Sequence, residues 1–408
     1  MKMLIKLAWR NILRNKRRTF LSGLAVGISM ASMMFVDGLF TGMLDSMIRT
    51  ATDTFLGQGQ IHAEGFTDTL EVEKTINGSD KVIKDLAGEN IVTLYSPRTA
   101  SFSMLSSAGG VQSVMLYGID PATEKDLSMV DESVRIGEYL GQDNKGMILI
   151  GSKTAETLEV EVGDRIVVTV AQAHTGELSQ EMFRVGGIFH MGIREADSGL
   201  AFIHLDRAQT LLGLKGEFHE IALSFVTLEM AGDRSLPFWG KYSVNGNDAI
   251  GWKEMVPQLE SVIEMSYIST AITLFLVFGI VGLTIMNSLF MSLYERMFEF
   301  GVLRAIGTRP LRMAGIILLE ALSLSIISMV IGLVIGLGFL KYFSVHGIDY
   351  TGIEFAGVTI TELIFPVFTM EQYTLYPLLT IIFSLVAALY PALYAARLTP
   401  AKAMRRSL

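Results

Sequence analysis

Glu295-Arg-Met-Phe-Glu-Phe-Gly-Val-Leu-Arg-Ala-Ile-Gly307 is the stretch whose reading decides the fold. It lies between two long apolar segments. Phe298, Val302 and Ile306 recur every fourth residue, so a helix would place them on one stripe. Glu295, Arg296, Glu299 and Arg304 keep the piece out of hydrocarbon. Gly307 supplies a helix stop, and Pro310 blocks continuation. The pattern predicts a short amphipathic helix in a loop between membrane spans. Such a helix serves either as a solvated connector on the lipid surface or as a surface offered to a partner.

Composition points the same way. Half the residues are hydrophobic, only 18% are charged, and the mean hydropathy is +0.44, all of which favour a membrane protein. About 20 apolar residues cross the hydrocarbon, and four segments are long enough: residues 20–45, 267–293, 313–343 and 373–397. The chain has no cysteine, so no disulfide or thiol site is available.

Basic residues set the orientation. Lys2, Lys6, Arg10, Arg14, Lys16, Arg17 and Arg18 precede the first span, residues 1–19, with no acid among them. Arg296, Arg304, Arg309 and Arg312 lie in the loop of residues 294–312. Arg397, Lys402, Arg405 and Arg406 mark the end of the fourth span and the tail, residues 398–408. The loop of residues 344–372 carries Asp349, Glu354, Glu362 and Glu371. Both termini and the short amphipathic helix are therefore expected in the cytoplasm, and residues 46–266 outside. A cleaved signal peptide with Ser29-Met-Ala31 as its site is the competing reading of the start. The apolar run continues past that site through Met33, Met34, Phe35 and Val36.

Asn287, Ser288, Glu295-Arg296, Glu299-Phe300-Gly301 and Leu303-Arg304-Ala305-Ile306-Gly307 resemble the signature of the FtsX/MacB-type ABC-transporter permeases. Arg10-Asn-Ile-Leu-Arg-Asn-Lys-Arg-Arg18 at the start and Tyr390-Pro-Ala-Leu-Tyr-Ala-Ala-Arg-Leu-Thr-Pro400 at the end resemble the same family. The resemblance implies four transmembrane α-helices with a large α+β extracytoplasmic domain between spans one and two. It makes residues 295–307 a coupling helix that docks on a separate ATPase dimer, through Glu295, Arg296, Phe298, Glu299, Gly301, Leu303, Arg304, Ala305, Ile306 and Gly307. ATP and Mg would bind that partner. This chain itself would be non-catalytic and bind no cofactor.

The outer segment carries 32 acidic and 17 basic residues. Residues 92–106 and 111–118 read as strands joined at Gly109-Gly110, and residues 147–150, 165–170 and 182–185 as further strands. Residues 80–87, 205–212 and 252–263 read as helices. The resemblance implies a membrane-proximal subdomain, about 46–111 and 206–266, with a β-rich subdomain inserted at about 112–205.

Other chemistry finds little support. Gly146-Met-Ile-Leu-Ile-Gly151-Ser-Lys-Thr154 nearly spells a phosphate loop, but Ser152 stands where Lys must follow the second glycine, and the interior reads as a strand. The six histidines show no ligand spacing for a metal. Basic residues gather only at the membrane face, so nucleic-acid binding is unsupported. Glu320 is an acid inside a span, a group that needs a partner. Gly23-x-x-x-Gly27, Gly38-x-x-x-Gly42 and Gly332-x-x-x-Gly336 would allow close helix packing.

The layout is similar to the lipoprotein-releasing permeases of the Lol system. That implies a bacterial inner-membrane subunit pairing with an identical or paralogous permease, lipoprotein cargo, and a soluble periplasmic carrier. Met33, Met34, Phe40, Met43, Leu44 and Met47, with Ile263, Ile268 and Ile272, are expected to form an apolar wall for acyl chains. Methionine is abundant, 23 in all, and suits surfaces that accept varied apolar ligands, though it packs helices equally well. The polar connection between Val170 and Phe183, with His174, Thr175, Gly176, Glu177 and Leu178, is expected to be a hairpin that recruits the carrier. An FtsX-like regulator of a cell-wall hydrolase, with a smaller outer domain, and a MacB-like efflux pump, with its ATPase fused, are the alternatives.

Overall fold

The computed structural model describes residues 10–11, 14–141, 144–355, 358–359 and 363–399. Lys2, Lys6, Glu362, Lys402, Arg405 and Arg406 lie outside the described residues. The chain divides into two compact units, one holding the long helices and one built around Ser46–Val262.

The first unit contains α1 (Lys16–Ala51) as far as Asp45, α2 (Pro257–Glu295) from Ile263 on, α3 (Met297–Ala305), α4 (Pro310–His346) and α5 (Met370–Ala396). All but α3 are long and apolar enough to cross a membrane. They outrun the apolar segments visible in the sequence; α2 starts ten residues before Tyr267. Apolar run length reports hydrocarbon thickness, whereas helical hydrogen bonds continue into water.

Two glycine pairs do different work. A Cβ on Gly27 would lie 3.0 Å from the Ser328 carbonyl oxygen, and one on Gly332 would lie 2.8 Å from that of Gly27, so α1 and α4 meet backbone to backbone. Gly336 rests on Met34 and Ala31 of α1. Gly38 faces Leu340 of α4 and the Val367 carbonyl, whereas Gly42 faces no helix. A Cβ on Gly42 would come within 2.1 Å of the Phe365 carbonyl oxygen. The Val367 N–H donates to the Gly38 carbonyl at 2.9 Å. The segment ahead of α5 thus lies across α1 there. Gln372, fully buried, donates to Asp37 at 3.1 Å.

The second unit is a ten-stranded mixed sheet: β1 (Gly59–Ala63), β2 (Val92–Ser106), β3 (Val111–Ile119), β4 (Val134–Gly137), β5 (Met147–Gly151), β6 (Arg165–Ala171), β7 (Leu178–Phe189), β8 (Leu200–His204), β9 (Glu220–Phe225) and β10 (Asn247–Gly251). The order is β10-β1-β9-β2-β3-β8-β5-β7-β4, with β6 bridging β2 and β7. β2 is fifteen residues long. Its first half pairs with β9, and its second half pairs with β3 and β6. Hydrogen bonding therefore runs unbroken past residues 111–112, where the resemblance implied a subdomain boundary.

One ion cluster is sealed inside this unit. Arg98 grips Glu124 with Nε and one terminal nitrogen, at 2.9 and 2.6 Å, and reaches Glu220 at 3.0 Å. Its guanidinium stacks on Phe55, 3.9 Å from the ring centre. Phe55 sits in the π-turn Thr52–Leu56 that follows α1, a widening that re-aims a side chain.

Candidate functional site

The stretch that decides the fold forms α3 as the four-residue period requires. Phe298, Val302 and Ile306 stand 52%, 40% and 75% exposed on one stripe, and Leu311 beyond the stop is exposed as well. Gly307 adopts φ +93°, the left-handed region that favours glycine, and its N–H bonds back to the Arg304 carbonyl at 3.1 Å.

The charged residues of the stretch turn toward the chain itself. Arg296 is the single residue between α2 and α3. Its Nε reaches Glu299 at 2.9 Å and a terminal nitrogen reaches Glu320 at 2.5 Å. Glu299 also accepts from Arg14 at 2.7 Å, and Glu295 from Arg18 at 2.7 Å. Asn11 donates to Glu320 at 2.7 Å. Arg304 bonds the Thr308 carbonyl at 3.1 Å. Gly301 is buried, Leu303 half-buried, and Ala305 and Gly307 exposed. Of the ten expected coupling residues, Phe298, Ala305, Ile306 and Gly307 stand open beside Val302, while Glu295, Arg296, Glu299 and Arg304 tie the helix to the chain. Periodicity finds the stripe but not Asn11, Arg14 and Leu311, which carry no pattern of their own.

The expected acyl-chain wall is corrected by burial. Met33, Met34 and Met47 are 2%, 0% and 1% exposed. Met33 and Met34 pack with Met30, Leu340 and Tyr376, so they cannot meet a ligand from the membrane. Phe40, Met43, Leu44 and Ile263 are half-buried. Ile268 and Ile272 alone of the set stand well exposed, at 63% and 57%.

The expected hairpin exists but is longer in strand and shorter in loop. β6 and β7 pair from Arg165↔Arg184 to Ala171↔Leu178, so Leu178 belongs to the ladder. The connection turns over six residues, closed by the Gln172 N–H on the Glu177 carbonyl at 2.9 Å. Ala173 is buried and tied to the Leu212 carbonyl at 2.9 Å, leaving His174, Thr175, Gly176 and Glu177 as the free tip. At the other end of the ladder Arg165 and Arg184 are cross-strand partners, both exposed.

Two further constellations do not make a catalytic centre. His190 Nδ1 lies 3.1 Å from Ser152 Oγ and 2.9 Å from the buried Asp197 carboxylate. Both partners use the same ring nitrogen, whereas a nucleophile–base relay needs opposite ones. Met147–Gly151 is strand β5 and leads straight into the helix Ser152–Leu158, so no phosphate loop forms there. Among the described residues no cluster of His, Asp and Glu could hold a metal ion.

Two family models match this chain. The MacB-like periplasmic core domain matches residues 19–232 and the FtsX-like permease C-terminal region matches residues 271–400. The lipoprotein-releasing system transmembrane protein LolC of Xylella fastidiosa is 24% identical over 311 residues, covering 72% of this chain and 73% of that protein. LolE of Haemophilus influenzae is 22% identical over 402 residues, covering 93% and 92%. Among solved structures, the periplasmic region of MacB from Actinobacillus actinomycetemcomitans aligns with a TM-score of 0.35 at 13% identity, covering 50% of this chain and 92% of that one.

Proposed function

Because this chain belongs to the ABC-transporter permeases with a MacB-like periplasmic core domain and an FtsX-like C-terminal region, we propose that it couples a separate ATPase to the release of lipoproteins or similar amphiphiles from the bacterial inner membrane. Both termini and α3 lie in the cytoplasm in this reading, as the basic residues around them favour. Two permease subunits, identical or paralogous, stand over an ATPase dimer that binds ATP and Mg. The names of the LolC and LolE relatives support the lipoprotein cargo.

The observation that carries the reading is the open stripe of Phe298, Val302 and Ile306. These side chains sit on a helix whose charges are consumed within the chain. Burying a Val, Ile or Phe side chain is worth about 1.5–3 kcal/mol, so a protein groove that covers the stripe gains a firm grip. A second observation favours carrier recruitment by the hairpin. Arg165 and Arg184 face each other across the ladder, and like charges directly opposite destabilise a sheet. Neither has an ion pair among the described residues, so an acidic patch on a soluble carrier would relieve both.

The test is purification of the chain with its co-expressed ATPase, followed by mass spectrometry of bound acylated protein. Phe298→Asp with Ile306→Asp should abolish ATPase co-purification while the chain still inserts. Retention of the ATPase at wild-type level, or a wild-type complex devoid of acylated protein, would overturn the reading.

A further inference from the structure

We propose that Arg296 and Glu320 are positioning residues for this coupling: their buried ion pair locks the joint between α2 and α3, so that α3 and α4 move as one body. The proposal rests on the reading of α3 as the ATPase-docking helix. Arg296 is the one residue between two helices, and its backbone, at φ −114° and ψ 19°, breaks them. A push on the stripe would swing α3 about that joint unless something held it.

The guanidinium of Arg296 supplies the directional tie. It bonds Glu299 one turn into α3, lies 5.1 Å over the Phe300 ring, and meets Glu320 of α4 at 2.5 Å. Arg296 and Glu320 are both buried, so their attraction acts in a low dielectric. The other ties on α3 and its approach, Arg14 to Glu299 and Arg18 to Glu295, are far more exposed and correspondingly weak and salt-screened. Apolar packing joins α3 to α4 as well, since Met297 and Phe300 are buried in one core with Met313, Ile317 and Ala321, but it carries no directional bond across the joint. A cleft lined by Asn11, Arg18, Ser288, Ser292 and Glu320 opens beside the pair.

Stability alone would not call for an ion pair here. A well-packed aliphatic pair in an apolar bundle is often as stable, because it avoids desolvating two charges. An ion pair adds direction: the forked guanidinium fixes the angle of α3 against α4 as well as their separation. Glu320 is further held by Asn11, which brings the basic segment ahead of α1 into the same body.

The test uses the full complex with its ATPase in lipid nanodiscs. Glu320→Gln keeps the size of the side chain and removes its charge. It should co-purify with the ATPase within twofold of wild type and hydrolyse ATP, yet release at least tenfold less acylated cargo per ATP. Lys341→Gln, which removes an exposed charge near the other end of α4, should change that ratio less than twofold, and Arg296→Glu with Glu320→Arg should recover part of it. The second readout needs no cargo. The chain lacks cysteine, so Ala305→Cys and Val330→Cys can carry spin labels on α3 and α4. Their distance should stay single on ATP binding in the otherwise wild-type chain and broaden when Glu320→Gln is added. Unchanged release per ATP together with an unchanged distance would overturn the proposal. So would loss of the ATPase in step with release, since the pair would then only support docking. A wild-type complex that shows the distance behaviour but frees no acylated cargo would sink the lipoprotein reading and leave the positioning role standing.

Discussion

At the scale of single residues, His219 shows how a buried polar group is used up. Its Nδ1 accepts the Ala100 N–H at 2.9 Å, and its Nε2 donates to the Val72 carbonyl at 2.8 Å. The ring lies flat on Phe66, centroids 5.1 Å apart. Only the neutral ring with its proton on Nε2 satisfies both bonds. Burial is the chief cause that holds its pKa below the usual histidine value, against the opposing pull of the Val72 carbonyl. The native state therefore binds fewer protons than the unfolded chain. The stability His219 lends is full above about pH 6.5 and drains away as pH falls through that value. His219→Gln should flatten the loss of thermal stability between pH 7 and pH 5 relative to wild type; an unchanged slope would refute the assignment. None of this is legible in the sequence, because the partners are 119 and 147 positions away. Glu320 is the contrary case. An acid inside an apolar run announces that it needs a partner, but only the fold brings Arg296 to it.

At the scale of elements, period carries far and contact carries the rest. α3 and its stripe follow from four-residue spacing, and β2 and β3 from their residue types and the Gly109-Gly110 turn. The hairpin strands are under-read, since Leu178, Gln180 and Met182 alternate weakly and the ladder appears only with β6 in place. The glycine spacings mislead in a more instructive way. Gly27 and Gly42 look alike in sequence, yet the first meets a helix and the second a loop. Spacing states that something comes close and leaves its identity open. Gly42→Ala should accordingly lever the Phe365–Val367 segment off α1 and cost about 1–3 kcal/mol, the usual range for overpacking. Gly279→Ala on α2, where a Cβ would meet nothing within 4 Å, should cost far less. Thermal unfolding of the two variants in detergent decides it, and equal melting temperatures would count against the crossing.

At the scale of the whole molecule, the number of spans and the interruption by a large mixed domain are legible from hydropathy and strand signals. The faces of the spans are not: a helix apolar all round gives no sign of which side is inward, which is why Met33 and Met34 are buried where a cargo wall was expected. For the proposed acylated cargo, the exposed Ile268 and Ile272 of α2 are the better surface. A photo-crosslinker at Ile272 should capture acylated protein from membranes and one at Met34 should not; equal labelling would remove α2 from consideration. The long strand β2 has a consequence of another kind, in synthesis. Its first half is completed by β9, Val92 opposite Phe225, so more than a hundred residues must leave the ribosome before that edge can close. Pairings so distant in sequence form slowly, because the chain must lose loop entropy first. Until then a newborn chain displays an open strand edge to its neighbours. A nascent chain stalled before residue 220 is thus the form most exposed to aggregation and most in need of a chaperone.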